Sequence, residues 1–544
     1  MKVKELYDNP NEIDIKSYLI KCGVDENIIE KYIEPDESCF EKSDKYDNMA
    51  EAKRLIARVA ALNMKTAYII VDSDVDGLCS ATIAYRTLKQ GGIKNIKPIF
   101  HKAKTHGLCD STYEQIGDDC SLLWIPDASE NDKKFAKLIE DRNIPCIVTD
   151  HHDTVKLSDK IITINNKWSD VDNKFLSGAG VTHKFCEYLV NDATHEVKDS
   201  IRNMRDLVAL SIVSDSCNLQ SLENRAYVHF GLNNINNDFF AALCQQIKGV
   251  VTPTELSFNV INLLNAVCRS DNQDAKQMVF DCFCGNNTNY TKAINLCKSI
   301  KREQDNKVKQ AMNDCDLTVS KNLVVAITSG VDAVSGLMAN KFMSKYNRPA
   351  MVLHESGNAL IGSVRSPVDI REELNKTAYF NFNSGHSKAF GTSVKTSKNL
   401  PKIIEFCNGL DLNDSEEYTV VGSYDWRKIP CNLFGYFDKF AEMFGEGVPA
   451  PTIHVKFKTN GKNIYEMGNG STIKMLLGDV TAIKFFCGKE YRESIHVGED
   501  MELEVDIIGK PSVNEYNGNR NNQIVIDKMI VCEDEKKEIF DELW

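Results

Sequence analysis

No C-x-x-C pair occurs anywhere in the chain. Its 18 cysteines are scattered singly, apart from Cys282-Phe283-Cys284. That excludes paired-cysteine zinc and thioredoxin-type chemistry, and reads as free thiols in a reducing compartment. Long apolar runs are also missing, since no stretch approaches the roughly 18 residues that suggest a membrane span. The first residues, Met-Lys-Val-Lys-Glu-Leu-Tyr-Asp, lack the apolar segment of a signal peptide. A cytoplasmic protein with no membrane partner is expected. Repeats and low-complexity segments are absent. Positive charge is in deficit, with 65 Lys and Arg against 78 Asp and Glu, a net charge of −13. That weighs mildly against a nucleic-acid partner, but local patches decide binding. The window 321–410 runs the other way, with 11 Lys and Arg against 6 Asp and Glu.

A chain of 544 residues is too long for one core, so several domains are expected. Residues 1–45 read as a short helical leader. Residues 46–64 read as a helix with Ala50, Leu55, Ile56, Val59 and Leu62 on one side. From 46 to 235 the chain reads as an α/β domain, with apolar strand runs at 66–71, 96–100, 121–125, 145–149 and 161–164. Alternation of these runs with helices predicts a doubly wound sheet. Residues 236–316 carry helical periodicity and read as a connector. Strand runs at 322–327 and 350–353 predict a smaller α/β domain over 317–430. Residues 431–532 alternate like a small β-barrel, and 533–544 form an acidic tail.

Charge clusters follow the apolar strand runs directly. Asp72-Ser73-Asp74-Val75-Asp76-Gly77 follows 66–71, and Asp150-His151-His152 follows 145–149. Open α/β sheets place their sites at these carboxyl ends. Alternation in an extended segment would send Asp72, Asp74 and Asp76 to one side. Three such charges repel unless a cation sits among them. An ordinary acidic turn fits the run as well, and a helix cap by one Asp fits either reading. Asp127, after 121–125, reads equally as a helix cap or a ligand, and Asp215 ends a further apolar run. Carboxylates mixed with imidazole suit Mn²⁺ or Mg²⁺ better than structural zinc. Downstream lie Gly362-Ser363-Val364-Arg365-Ser366-Pro367 and Ser384-Gly385-His386-Ser387-Lys388-Ala389-Phe390-Gly391. They suit a phosphate-contacting surface, or an exposed turn.

Together these residues resemble the DHH phosphoesterase superfamily, and within it the RecJ-like single-strand DNA exonucleases. Its D-x-D-x-D-G motif falls on Asp72 to Gly77, its isolated Asp on Asp127, its triplet on 150–152 and its later Asp on Asp215. The motifs of the DHH-associated domain fall on 362–366 and 384–391. Asn265-Ala266-Val267-Cys268-Arg269, Phe444 to Pro451, and Val505 to Ile526 resemble stretches special to RecJ, the last two at its OB-fold. The chain departs from the family at Ile70, where such sites often carry a histidine; either Asp72 replaces it at the first metal or that metal is weakly held. It departs also at Ser384 and Cys268, each in place of a glycine.

The resemblance implies a doubly wound DHH domain, a helical connector, a DHH-associated domain and an OB-like barrel. It implies 5′→3′ hydrolysis of single-stranded DNA to mononucleotides with two divalent cations, in repair, recombination or replication. Asp74 and Asp127 would hold one cation, with Asp72 a candidate beside them. Asp76, Asp127, His151 and Asp215 would hold the other. His152, Arg365 and His386 would act at the scissile phosphate, with Ser363, Ser366 and Gly385 close to the strand. Arg269 and the basic segment His101 to His106, with Lys102 and Lys104, would line the entrance. Phe485, Phe486, Tyr491 and Tyr516 are candidates for stacking on bases, or for core packing. The tail, with Ile539, Phe540, Leu543 and Trp544 at helical spacing, would dock a single-strand-binding or other replication protein, or pack on its own chain. Two other functions remain open: a DHH phosphodiesterase of short oligoribonucleotides or cyclic dinucleotides, and a non-catalytic replication scaffold.

Overall fold

Five consecutive strands, β1 (Thr66–Val71), β2 (Ile96–Phe100), β3 (Cys120–Pro126), β4 (Cys146–Asp150) and β5 (Ile161–Asn165), build an all-parallel sheet in the order β2-β1-β3-β4-β5. The computed structural model describes all residues except 9–12, 63–64, 103–104, 129–132, 157, 248, 330–333, 347, 413–416, 432, 469–471, 486–501, 517–518 and 534–544. Lys104, Phe486, Tyr491 and the tail beyond Glu533 lie outside the described residues, as do the side chains of Leu62, His386 and Tyr516.

The strands read as unbroken apolar runs because both faces of the sheet are covered. Tyr68, Ile70, Ile99, Leu123, Ile125 and Val148 enter one core layer. Ala67, Ile69 and Val71 alternate to the opposite face. The strand order reverses between β1 and β3, so a crevice opens past their carboxyl ends. Asp72 follows β1 and Asp127 follows β3.

The helices that serve this crevice are α1 (Met49–Leu62), α2 (Val75–Gln90), α3 (Gly178–Leu189), α4 (Arg205–Ser214) and α5 (Leu222–Asn233). Of these, α2 packs against both α3 and α4. Helices α6 (Asn262–Cys268), α7 (Gln273–Phe283) and α8 (Tyr290–Asp314) follow, with no strand among the described residues of 236–314. Contacts divide the chain into two compact units. One comprises Lys16–Glu303 and Phe440–Pro449, and the other Met1–Ile15, Gln304–Lys439 and Ala450–Trp544. Residues 1–45 are thus shared between the units, and Phe440–Pro449 joins the five-stranded one.

Besides a two-stranded parallel pairing of Val3–Glu5 with Tyr418–Val420, the described residues of the second unit form two larger sheets. One contains β6 (Asp316–Val319), β7 (Val324–Thr328), β8 (Ala350–Ser356), β9 (Ala359–Arg365), β10 (Phe380–His386) and β11 (Ala389–Val394), in the order β10-β11-β9-β8-β7-β6. Only β7 and β8 pair in parallel. The other contains β12 (Ser423–Asp425), β13 (Ile453–Asn460), β14 (Ile464–Met467), β15 (Thr472–Leu477), β16 (Val480–Phe485), β17 (Glu502–Tyr516) and β18 (Asn519–Glu533). Their order is β12-β13-β17-β18-β16-β15-β14. Inward Val455, Phe457, Ile473, Met475, Val505, Ile507 and Ile524 are buried, which accounts for the period of two in the sequence. No helix among the described residues is long and apolar enough to cross a membrane.

Candidate metal centre

The three aspartates of the Asp72–Gly77 run do not lie along one extended face, as their alternation suggested. The chain turns straight from β1 into α2. Asp72 ends the strand, Asp74 is the helix N-cap and accepts from the Gly77 N–H at 3.1 Å, and Asp76 sits in the first turn. A side chain at Gly77 would overlap Asp72, with its Cβ only 2.5 Å from the Asp72 Cβ. The glycine therefore serves the close approach of strand and helix.

Asp76 is buried and gripped from several sides. Its Oδ2 accepts from the Gly178 N–H at 2.8 Å, and its Oδ1 from the Ala179 N–H at 2.8 Å and the Ser211 hydroxyl at 2.6 Å. Gly178 and Ala179 open α3, whose first N–H groups have no partners within the helix and favour a negative charge. Ser177 caps the same helix through Gly180, and its hydroxyl lies 2.7 Å from that of Ser211. These supports were not singled out from the sequence. Ser177-Gly178-Ala179-Gly180 before an apolar helix was the available signal, a small-residue N-cap.

Asp127 occupies left-handed backbone, with φ 60°, and its amide donates to the Thr149 carbonyl at 2.7 Å. It is 3% exposed, and its Oδ1 is buried without a hydrogen-bond partner. Burial, then the carboxylates of Asp76, Asp74, Asp72 and Asp215, push its pKa well above the ordinary value. His151 Nε2 lies 3.3 Å from Asp127 Oδ1, 3.7 Å from Asp76 Oδ2 and 3.7 Å from Asp215 Oδ2. One imidazole therefore meets three carboxylates from three elements. Asp215 ends α4, and desolvation pushes it up to about 6, against the pull of His151. Burial and the charges of Asp72 and Asp76 also raise Asp74.

The His152 Nδ1–H donates to Asp150 Oδ1 at 2.7 Å, and that bond lifts its pKa to about 9. Asp150 itself is buried, yet His152 and His151 hold it below the ordinary range.

Asp72 is hemmed by groups from the loop after β2. Its Oδ2 lies 2.6 Å from His106 Nδ1, its Oδ1 accepts from the Gly107 N–H at 3.0 Å, and His101 Nε2 stands 3.3 Å from Oδ1. Burial opposes the charge on Asp72, but the two histidines outweigh it and lower the pKa. His101 is 1% exposed, so it backs the carboxylate instead of lining an entrance. The Gln273 amide and the Lys276 ammonium both donate to the His101 carbonyl, at 2.9 and 2.7 Å. Ile70 belongs to the buried core layer of the sheet, so a ligand there is replaced by apolar packing.

Among the described residues, three groups have ligand atoms within 4.8 Å of one another: Asp76, His151 and Asp215; Asp127, His151 and His152; and Asp72, Asp74 and His106. Lys102 is exposed on the same loop as His106. Arg269 follows α6, half-buried, with its Nε lacking a hydrogen-bond partner.

Arg365, Ser363, Ser366, Gly385 and His386 belong to the other compact unit. Ser363 Oγ lies 3.0 Å from Ser335 Oγ, and the Arg365 Nη1 donates to the Val364 carbonyl at 2.8 Å. Ser366 is buried with its hydroxyl donating to the Val368 carbonyl at 2.5 Å, so that oxygen serves the turn. Gly385 has φ 130°, and its carbonyl accepts from Arg371. On the seven-stranded sheet Phe485 is 44% exposed, and so is Tyr465, which sequence reasoning missed.

The profile of the DHH family, N-terminal domain, matches residues 66–212, and that of the RecJ OB domain matches 424–528. The chain carries a DHH-family N-terminal domain and a RecJ OB domain. The DHH match spans the five-stranded sheet and the cluster up to α4, and the OB match spans the seven-stranded sheet. The chain is 26% identical over 586 residues to YorK of Bacillus subtilis, named as an SPbeta prophage-derived single-strand DNA-specific exonuclease, across 99% of this chain and 100% of YorK. It is 21% identical to the single-stranded-DNA-specific exonuclease RecJ of Haemophilus influenzae, across 84% of this chain and 86% of that one. The crystal structure of Thermus thermophilus RecJ in complex with Mn²⁺ shares the fold, with a TM-score of 0.72 at 17% identity over 98% of this chain and 79% of that one.

Proposed function

We propose that this chain is a metal-dependent exonuclease that hydrolyses single-stranded DNA from the 5′ end to mononucleotides, in DNA repair, recombination or replication. The observation that carries the reading is Asp127. Its Oδ1 is buried, has no hydrogen-bond donor and lies among four other carboxylates. Such an arrangement is costly without cations. Oxygen and imidazole donors without thiolate fit Mn²⁺ or Mg²⁺. In this reading Asp74 and Asp127 hold one ion, and Asp76, Asp127, His151 and Asp215 hold the other. Two such ions, when bound, neutralise phosphodiester charge and supply hydroxide near neutral pH.

The chain's own residues do the positioning. The α3 N-terminus and Ser211 fix Asp76, so its oxygens need no reorganisation when substrate arrives. His152, lifted to about 9 by Asp150, is a cation at neutral pH and can stabilise charge on phosphoryl oxygens. Arg365, His386, Ser363 and Gly385 contact strand phosphates, where a guanidinium can offer paired donors. Arg269 and Lys102 serve the incoming strand. Tyr465 and Phe485 are stacking candidates for upstream bases. The named activities of YorK and RecJ support the substrate class.

The test is competition between substrates. A long 5′-phosphorylated single strand should be digested in preference to di- and triribonucleotides or a cyclic dinucleotide. Preference for the short ribonucleotides would favour the phosphodiesterase reading. Absence of any cation-dependent cleavage would favour a scaffold.

A further inference from the structure

We infer that His106 is an imidazole ligand of the cation held with Asp74, and that Asp72 is the carboxylate that orients this imidazole. The inference rests on the metal-dependent reading above. His106 comes from the loop after β2, 34 residues beyond Asp72, and lies outside the D-x-D-x-D-G run, the Asp150-His151-His152 triplet and the isolated aspartates. One ring nitrogen of His106 and one carboxylate oxygen each of Asp72 and Asp74 lie within 4.8 Å of one another.

Two observations divide the roles between Asp72 and His106. Both oxygens of Asp72 are already engaged, Oδ2 by His106 Nδ1 at 2.6 Å and Oδ1 by the Gly107 N–H at 3.0 Å, with His101 Nε2 at 3.3 Å. That carboxylate is an acceptor for a ring and a loop, and is 3% exposed. A histidine whose Nδ1–H is held by a carboxylate has Nε2 as its lone-pair atom, the usual arrangement of a metal-bound imidazole. The second observation is the Asp127 Oδ1, which is buried without a hydrogen-bond partner and lies 3.3 Å from His151 Nε2, in the field of Asp76, Asp74 and Asp72. It marks the cluster as a whole as needing cations.

The arrangement also explains how the site functions with Ile70 locked in the apolar core. An imidazole delivered by the β2 loop takes the place of one delivered by β1. His106 has a side chain 50% exposed, so it can be changed without opening the core.

The experiment is an equilibrium titration of the full chain with Mn²⁺ in the absence of DNA, read by the electron paramagnetic resonance of free Mn²⁺. The unsubstituted protein should bind two ions. His106→Gln and His106→Ala should each lose about 10–100-fold in affinity at one of them and keep the other. Asp72→Asn should weaken the same ion. The Mn²⁺ concentration for half-maximal cleavage should rise in parallel, with KM for single-stranded DNA unchanged at saturating Mn²⁺. Two ions bound with unchanged affinity in both His106 variants would overturn the assignment. So would unchanged Mn²⁺ binding with a raised KM, which would make His106 a strand contact. No Mn²⁺ bound by the unsubstituted protein would instead overturn the metal-dependent reading itself. Circular dichroism matching the parent confirms that each variant is folded, and the two His106 variants serve as checks on each other.

Discussion

At the scale of single residues, the proposed function rests on a few atoms. Asp127 is the clearest, with a buried oxygen that has no hydrogen-bond partner. Asp127→Ala should lower cleavage by at least about 10²–10³-fold, as loss of a principal electrostatic group does, and steady-state nuclease assays check this. Cleavage within tenfold of the parent would remove Asp127 from its bridging role. Gly178 is nearly as constrained. A Cβ there would stand 2.2 Å from Asp127 Oδ1 and 2.6 Å from its Cβ. Gly178→Ala should therefore displace Asp127 and cost on the order of 1–3 kcal/mol by overpacking. The expected result is a modest fall in melting temperature with a large fall in activity. Full activity would show that Asp127 can move without consequence. The sequence could not announce Gly178, because its reason for being small lies 51 residues away in the chain.

At the scale of elements, the sheet was legible, and the handover from strand to helix was legible only as the open possibility of a cap by one Asp. Strands β1 to β5 stood out because parallel strands covered on both faces are continuous apolar runs. The charges after them stood out for the same reason. Three alternate aspartates suggested an extended segment, but Asp74 caps α2 and leaves Asp76 on its first turn. The spacing of two is common to both readings, and only the cap geometry separates them. His101 and His106 read as an entrance because basic residues on a loop usually face solvent. Pairing with Asp72 across the sheet leaves no periodic trace. The segment Phe440–Pro449 shows the same limit. Glu442 accepts from the fully buried Arg225 at 2.7 Å, lies 2.9 Å from His229 Nδ1 and accepts from Asn233 at 3.0 Å. Burial opposes its charge, but His229 and Arg225 lower its pKa from 4.5 to about 2. A depressed carboxylate contributes stability that is complete above 4.5 and disappears as pH falls toward about 2. Glu442→Ala should destabilise the five-stranded unit by about 3–5 kcal/mol, because Arg225 is left buried and unpaired. Urea melts at pH 7 and pH 3 check both points. The difference between parent and variant should be smaller at pH 3. Equal stability of parent and variant at pH 7 would contradict the pairing.

At the scale of the whole molecule, contacts assign the chain to two units. The DHH match and the carboxylate cluster lie in one, and the RecJ OB match, apart from Phe440–Pro449, in the other. Removing 450–544 should weaken binding to long single strands far more than it slows cleavage of very short ones, provided the remainder stays folded. Fluorescence anisotropy on long and short strands measures the first effect. Equal loss on both would make the seven-stranded sheet structural. The cut belongs after Pro449, since an earlier one would remove Glu442 from Arg225. The fold class was legible throughout, because each sheet has its own period, continuous in one and alternating in the other. The partition was not, since a segment's partner depends on contacts far along the chain. The most direct test of the account is end release. Single strands labelled at either the 5′ or the 3′ end are incubated with the full chain and Mn²⁺ or Mg²⁺. The account predicts early release of 5′-labelled mononucleotide, abolished by chelation and by Asp127→Ala. Release that persists in chelator, or that begins at the 3′ end, would contradict it.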